Sequence, residues 1–198
     1  MHVSKRFQRI IKPSVFTVSL FPLFWLIGAA LTEGLGANPI EKVLHHMGDW
    51  ALSFLMITLV VSPFGKMTGL SWPIQLRRMM GLFGFFYATL HFMTYIALDQ
   101  FFDWRAIVED AVRHKRIIVG FASYILLIPL AVTSTNSMIQ KLGFKTWQRL
   151  HRLVYAAAGG ILHFLWLVKV DTRRPLIYAS VFAVLMALRI VHLWMKKI

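Results

Sequence analysis

Cysteine is absent from this chain of 198 residues. That excludes disulfides, zinc thiolates and iron–sulfur clusters, as well as the CxxCH attachment of c-type heme. Charge is scarce: Asp, Glu, Lys and Arg together make up 15% of the chain, against roughly 25% in ordinary soluble domains. Acids are the scarcer sign, 8 against 22 Lys and Arg. No glycine-rich phosphate motif occurs, so the chain has no dinucleotide-binding domain of its own. No internal repeat or low-complexity linker divides it, and its length suits one domain covering residues 1–198.

Apolar residues are abundant, at 58% of the chain. A net charge of +14 could suggest nucleic acid, but the charges sit in short clusters between long apolar runs, as in membrane loops. A span needs about 20 mostly apolar residues. Six stretches qualify: Pro13 to Leu31, Val43 to Ser62, Met79 to Leu98, Ile117 to Thr135, Leu150 to Val168 and Pro175 to Met195. Pro63 is expected to stop the second. Asp99 to Arg116 is expected to hold an interfacial helix, because Phe101, Phe102 and Trp104 alternate with acids and bases. The first run has no A-x-A-like site after it and reads as a retained helix.

The expected fold is an all-α, six-helix integral membrane bundle. Lysine and arginine place its N-terminus on the cytoplasmic side. Lys5, Arg6, Arg9, Lys12, Arg77, Arg78, Arg149 and Arg152 then lie inside, and an even number of spans brings Lys196 and Lys197 there too. Every acid, from Glu33 to Asp171, falls outside or near the outer edge, which leaves the inner surface purely basic.

Two histidines stand out. His91 and His163 each lie about 18–20 Å from the inner start of their span at 1.5 Å per residue. Each follows small residues at helical spacing: Gly81, Gly84 and Ala88 before His91, and Ala156, Gly159 and Gly160 before His163. Matched depth on two bare faces predicts a flat ligand between them, a non-covalently held heme with His91 and His163 as axial ligands. The alternative is helix packing, with each histidine bonded to a carbonyl.

The other polar residues leave more open. His151, between Arg149 and Arg152, reads as an interfacial histidine, as a ligand to a second, inner heme, or as a donor to an anionic cofactor. His192 reaches a similar level as its candidate partner. His45 and His46 point about 100° apart, so at most one faces the bundle. His46 is the better candidate, with Asp49 placed to hold its imidazole. Arg77, Arg78, Arg149 and Arg152 are membrane anchors or a dock for a flavin phosphate, with Trp147 as a stacking surface.

Two long stretches carry a resemblance. LRRMMGLFGFFYATLHFMTY, Leu76 to Tyr95, and LAVTSTNSMIQKLGFKTWQRLHRLVYAAAGGILHFLW, Leu130 to Trp166, resemble the MsrQ family, formerly YedZ. FPLFWL near the start and GLGANPIE in the first loop fit as well. These proteins are the heme-binding membrane subunits of bacterial protein-methionine-sulfoxide reductase systems, within the ferric-reductase-like transmembrane superfamily. The resemblance implies a b-type heme protein of the bacterial inner membrane that relays electrons outward. They would pass to a periplasmic molybdopterin subunit that reduces methionine sulfoxide in envelope proteins. It also implies FMN as a candidate cofactor, a flavin reductase or the quinone pool as donor, and His91, His151 and His163 as the heme histidines. The rival readings are a stand-alone transmembrane metal or quinone reductase, disfavoured by the missing nucleotide domain, and a non-redox transporter that uses its membrane histidines as a path.

Overall fold

The computed structural model describes residues 5–70, 72–167 and 173–195. They form helices and connecting turns, with no strand among them. The helices are α1 (Lys5–Leu31), α2 (Pro39–Thr68), α3 (Trp72–Thr94), α4 (Trp104–Arg113), α5 (Lys115–Val132), α6 (Asn136–Leu142), α7 (Phe144–Leu150), α8 (Leu153–Ala157), α9 (Gly160–Leu167) and α10 (Arg173–Met195). A π-helical turn, Tyr95–Asp99, extends α3. Five segments of the described residues are long and apolar enough to cross a membrane: Arg9–Leu31, Pro39–Gly65, Trp72–Asp99, Lys115–Val132 and Arg173–Val191.

The stretch expected as one span from Leu150 to Val168 is instead a run of short helices, with Val168 outside the described residues. Two tightened turns interrupt it. At the first, Arg152 N–H donates to Arg149 and Tyr155 N–H to Arg152. At the second, Gly159 N–H donates to Ala156, Ile161 N–H to Ala158 and Leu162 N–H to Gly159. These i to i−3 bonds wind the chain at about three residues per turn. The expected face shifts accordingly. Ala156, seven residues before His163, is exposed, while Ala157 and Gly160, six and three before it, face inward.

Pro63 does not stop α2, which runs on to Thr68 and closes at Gly69 with φ 70°. Proline has no N–H to give the carbonyl four residues back, here Leu59. The Arg189 guanidinium on α10 donates to that carbonyl at 2.8 Å. It also lies 4.8 Å from the centre of the Tyr155 ring. A side chain from a neighbouring helix thus satisfies the freed acceptor, which is how spanning helices tolerate proline.

The core has two parts. Leu26, Met47, Ala51, Phe54, Met80, Phe83 and Tyr87 join α1, α2 and α3. Tyr87 is fully buried, and its hydroxyl donates to the Ser19 carbonyl at 2.7 Å. The second part joins α2, α5, α8, α9 and α10 around Leu59, Leu127, Ala157 and Ile161. Gly84 belongs to the close packing of α3 on α2, since a Cβ there would lie 3.2 Å from Leu55. Gly81 faces Thr58 of the same helix. Gly84 therefore admits a neighbouring helix, and of the expected set on α3 only Ala88 borders the space beside His91. The stretch expected to be interfacial forms α4, started by Asp103, whose carboxylate accepts from the N–H groups of Arg105 and Ala106.

Candidate functional site: two stacked cavities

Two cavities lie along the bundle between α2, α3, α5 and the α8–α9 segment. Leu55 and Leu127 border both and separate them. The outer one, about 140 Å³, has almost wholly apolar walls, with His45, Asp49, His91 and His163 among its few polar residues. The inner one is wider, about 520 Å³, and is lined by Arg77, Arg78, Trp147, His151, Arg152 and Tyr155 among others.

In the outer cavity the His91 and His163 rings face each other with centroids 6.1 Å apart and planes at 78°. Each is oriented by a backbone carbonyl of the facing helix. His91 Nδ1 is 2.9 Å from the Leu44 oxygen on α2, and His163 Nδ1 is 2.6 Å from the Arg116 oxygen on α5. A carbonyl only accepts, so each Nδ1 carries the proton and each Nε2 keeps its lone pair. With a metal–imidazole bond of roughly 2 Å on each side, a metal held between two imidazoles would need ring centroids about 6 Å apart. Separation, tautomer and apolar surroundings therefore suit a heme iron held between His91 and His163, and the residues fit the group.

Two glycines border these rings, and sequence reasoning missed both. A Cβ at Gly48 would lie 3.3 Å from His91, and one at Gly120 would lie 3.0 Å from His163. The only signal was a lone glycine in each of two apolar runs, Val43 to Ser62 and Ile117 to Thr135, without the repeated small-residue spacing that marked α3.

The inner cavity holds its histidine differently. Thr133 donates its hydroxyl hydrogen to the Pro129 carbonyl at 2.6 Å. His151 Nε2, at 3.1 Å from Thr133 Oγ1, must then be the donor to it. Its ring lies 4.1 Å from the Trp147 ring, and Trp147 Nε1 donates to the Thr133 carbonyl. His151 thus presents Nδ1 as its free nitrogen in this arrangement. The side chain of His192, its candidate partner, lies outside the described residues.

The arginines divide. Arg77 is half-buried in the second turn of α3 and donates to Ser62 Oγ at 3.0 Å. Arg78 donates to Asn136 Oδ1 at 2.7 Å. Both line the inner cavity together with Arg152, whereas Arg149 is exposed and does not. Arg189, behind Tyr155, has a buried Nε without a partner among the described residues. Among the described residues, no carboxylate lines this cavity.

His46 and His45 exchange their expected places. His46 turns toward α1, with Nε2 3.0 Å from the Pro22 carbonyl and its ring stacked on Trp25 at 4.9 Å. Asp49 pairs with Arg174 at 3.2 Å instead of holding His46. His45 is the one that borders the outer cavity. Adjacent residues on a helix cannot share a face, and the aromatic groove between α1 and α2 claimed His46.

A multi-pass helical membrane protein with facing histidines at one level defines a class of redox membrane domains. The family described as ferric reductase like transmembrane component matches residues 47–162, and the chain belongs to it. The match takes in Gly48, His91 and Gly120 and ends one residue short of His163. Over nearly its whole length the chain is similar to proteins named protein-methionine-sulfoxide reductase heme-binding subunit MsrQ. That of Herminiimonas arsenicoxydans is 46% identical, covering 99% of this chain and 91% of the relative. That of Rhodospirillum rubrum is 48% identical, with 96% and 91% covered. That of Caulobacter vibrioides is 39% identical, with 94% and 90% covered.

Proposed function

We propose that this protein is the heme-binding membrane subunit of a methionine sulfoxide reductase system and carries electrons across the bacterial inner membrane. It would take them from a cytoplasmic or membrane donor, a flavin or a quinol. It would deliver them to a periplasmic molybdopterin-containing reductase that repairs oxidised envelope proteins. The observation that carries this reading is the pair of imidazoles in the outer cavity, 6.1 Å apart, each with Nδ1 bonded to a backbone carbonyl. Bound heme b supplies a one-electron iron couple that the side chains lack.

The chain's own residues do the rest. His91 and His163 would hold the iron through Nε2. The carbonyls of Leu44 and Arg116 fix both rings, so little reorganises when charge changes. The apolar walls exclude water. We place the entry of electrons at the inner cavity, where Arg77, Arg78 and Arg152 would receive an anionic donor or an FMN phosphate and Trp147 and Tyr155 offer aromatic faces. In this reading the broken α8–α9 segment crosses as a sixth span with both termini cytoplasmic, because backbone interrupted at membrane depth is tolerated when protein covers it.

The test is spectroscopic and functional together. Purified protein should bind non-covalent heme with the low-spin signature of two histidine ligands. Once reduced, it should be reoxidised by the periplasmic reductase only when methionine sulfoxide is present. A protein that takes up no heme sinks the assignment. A heme protein that reduces ferric chelates or quinones but never the periplasmic subunit points to the stand-alone reductase instead.

A further inference from the structure

The outer site is assembled twice from the same three parts. On one side they are the Leu44 carbonyl, Gly48 and His91. On the other they are the Arg116 carbonyl, Gly120 and His163. The carbonyl and the histidine are 47 residues apart in both cases. In both the glycine stands four residues after the carbonyl, on the same helix. That position has a geometric meaning. In an α-helix the N–H of residue i+4 closes on the carbonyl of residue i, so the i+4 side chain borders the outer flank of that carbonyl. An imidazole that approaches the second lone pair from outside passes directly over the i+4 Cα. A Cβ at Gly48 would sit 3.3 Å from both Nδ1 and Cε1 of His91. A Cβ at Gly120 would sit 3.0 Å from Nδ1 of His163 and 3.3 Å from its Cε1. Each helix is otherwise regular here, and glycine inside a helix is chosen against local preference.

Resting on the heme reading above, we propose that Gly48 and Gly120 are positioning residues that set the redox potential of the site by letting each ligand histidine donate Nδ1–H to a helix carbonyl. The donation gives the ring partial imidazolate character and makes Nε2 a stronger ligand. A stronger anionic donor favours ferric over ferrous iron and lowers the potential. A methyl group at either glycine pushes the ring off its carbonyl, weakens the bond and raises the potential. The His163 side is held more closely, at 2.6 Å against 2.9 Å for His91. Gly120 therefore matters more than Gly48.

The experiment compares Gly48→Ala, Gly120→Ala and Gly84→Ala in the detergent-purified, heme-loaded full chain. Gly84 is the control, since its added methyl would meet Leu55 at 3.2 Å, equally tight, but no histidine. Potentiometric titration and low-temperature electron paramagnetic resonance are read on the heme-containing fraction, normalised to folded protein. Gly120→Ala should raise the ferrous-to-ferric ratio at a fixed ambient potential by about tenfold, which is about 59 mV for a one-electron couple, and should move the low-spin g values. Gly48→Ala should shift both in the same direction by less, and Gly84→Ala should leave both unchanged. If Gly120→Ala does not retain heme, the milder Gly48→Ala decides. Wild-type potential and g values in the alanine variants overturn the inference while the heme reading stands, as does an equal shift in Gly84→Ala. Absence of heme from the wild-type protein overturns both.

Discussion

The two cavities share Leu55 and Leu127 as a common wall, yet they treat histidine in opposite ways. The outer one secures Nδ1 on the backbone and leaves Nε2 free, twice over, among apolar side chains. The inner one engages Nε2 of His151 through a hydroxyl, backs it with indole and surrounds it with guanidinium groups. Backbone carbonyls inside a helix are fixed points, and a ring bonded to one has a single orientation. A threonine hydroxyl rotates, and a ring bonded to it keeps more freedom. The first arrangement suits permanent ligation of a metal. The second suits a ligand that arrives, is held by charge and leaves.

The sharpest way to break this contrast is to remove an imidazole. His91→Ala or His163→Ala should abolish the low-spin bis-histidine signal and most of the bound heme, because each removes one of the two imidazoles that meet across the outer cavity. His151→Ala should retain the outer signal. A variant lacking His91 or His163 with wild-type heme content and spectrum would mean that the outer cavity is not the heme site.

The next largest effect separates packing from pocket. Gly160 borders the outer cavity, with ordinary space around a Cβ, 3.5 Å from Leu52. Gly160→Leu should lower heme per folded protein severalfold by filling the slot. Gly84→Leu forces a branched side chain into Leu55 and should destabilise the fold by about 1–3 kcal/mol of overpacking, lowering the yield of folded protein with heme per folded molecule unchanged. Heme quantified against the monodisperse peak distinguishes the two. Equal heme loss in both variants would erase the distinction between the two glycines.

The inner cavity is tested by its charge. Replacing Arg77 and Arg78 with Gln should slow reduction by the cytoplasmic donor about tenfold, since charge-assisted hydrogen bonds contribute roughly 1.5–3 kcal/mol, while the heme spectrum stays intact. Lysine should restore the rate only in part, because it lacks the planar two-pronged geometry that suits phosphate. A reporter fused after Lys197 checks that the variant inserts the same way round. Correct insertion with wild-type reduction rates across donor concentrations would place entry elsewhere.

The smallest effect concerns His46, which joins α2 to α1 through the Pro22 carbonyl and Trp25. His46→Phe should keep the stacking and lose the hydrogen bond, at a cost of about 1 kcal/mol, measured as a lower melting temperature. Heme content and potential should stay at wild-type values. A spectral change would return His46 to the functional set.

Composition and hydropathy were enough to read an all-helical membrane chain and five of its long apolar helices, because a bilayer admits few solutions for twenty consecutive apolar residues. The pairing of His91 with His163 was legible as well, since two polar residues at one depth on apolar helices need a reason to be there. What lies between helices was not. The sequence does not tell which neighbour a small-residue face admits, so Gly81 and Gly84 looked like one ligand face beside His91, whereas Gly84 is packed on α2 and Gly81 borders the inner cavity. Spacing at 100° per residue assumes an unbroken helix, so the two tightened turns beside His151 and Gly159 put Ala157 where Ala156 was expected. Pro63 read as a stop because its remedy, the Arg189 guanidinium on Leu59, comes from 130 residues away. Gly48 and Gly120 stayed hidden because a single glycine in an apolar run acquires meaning only when the imidazole over it is known. Local chemistry in this protein follows from neighbours in the chain; the site is made by carbonyls, rings and guanidiniums that meet only when the helices pack.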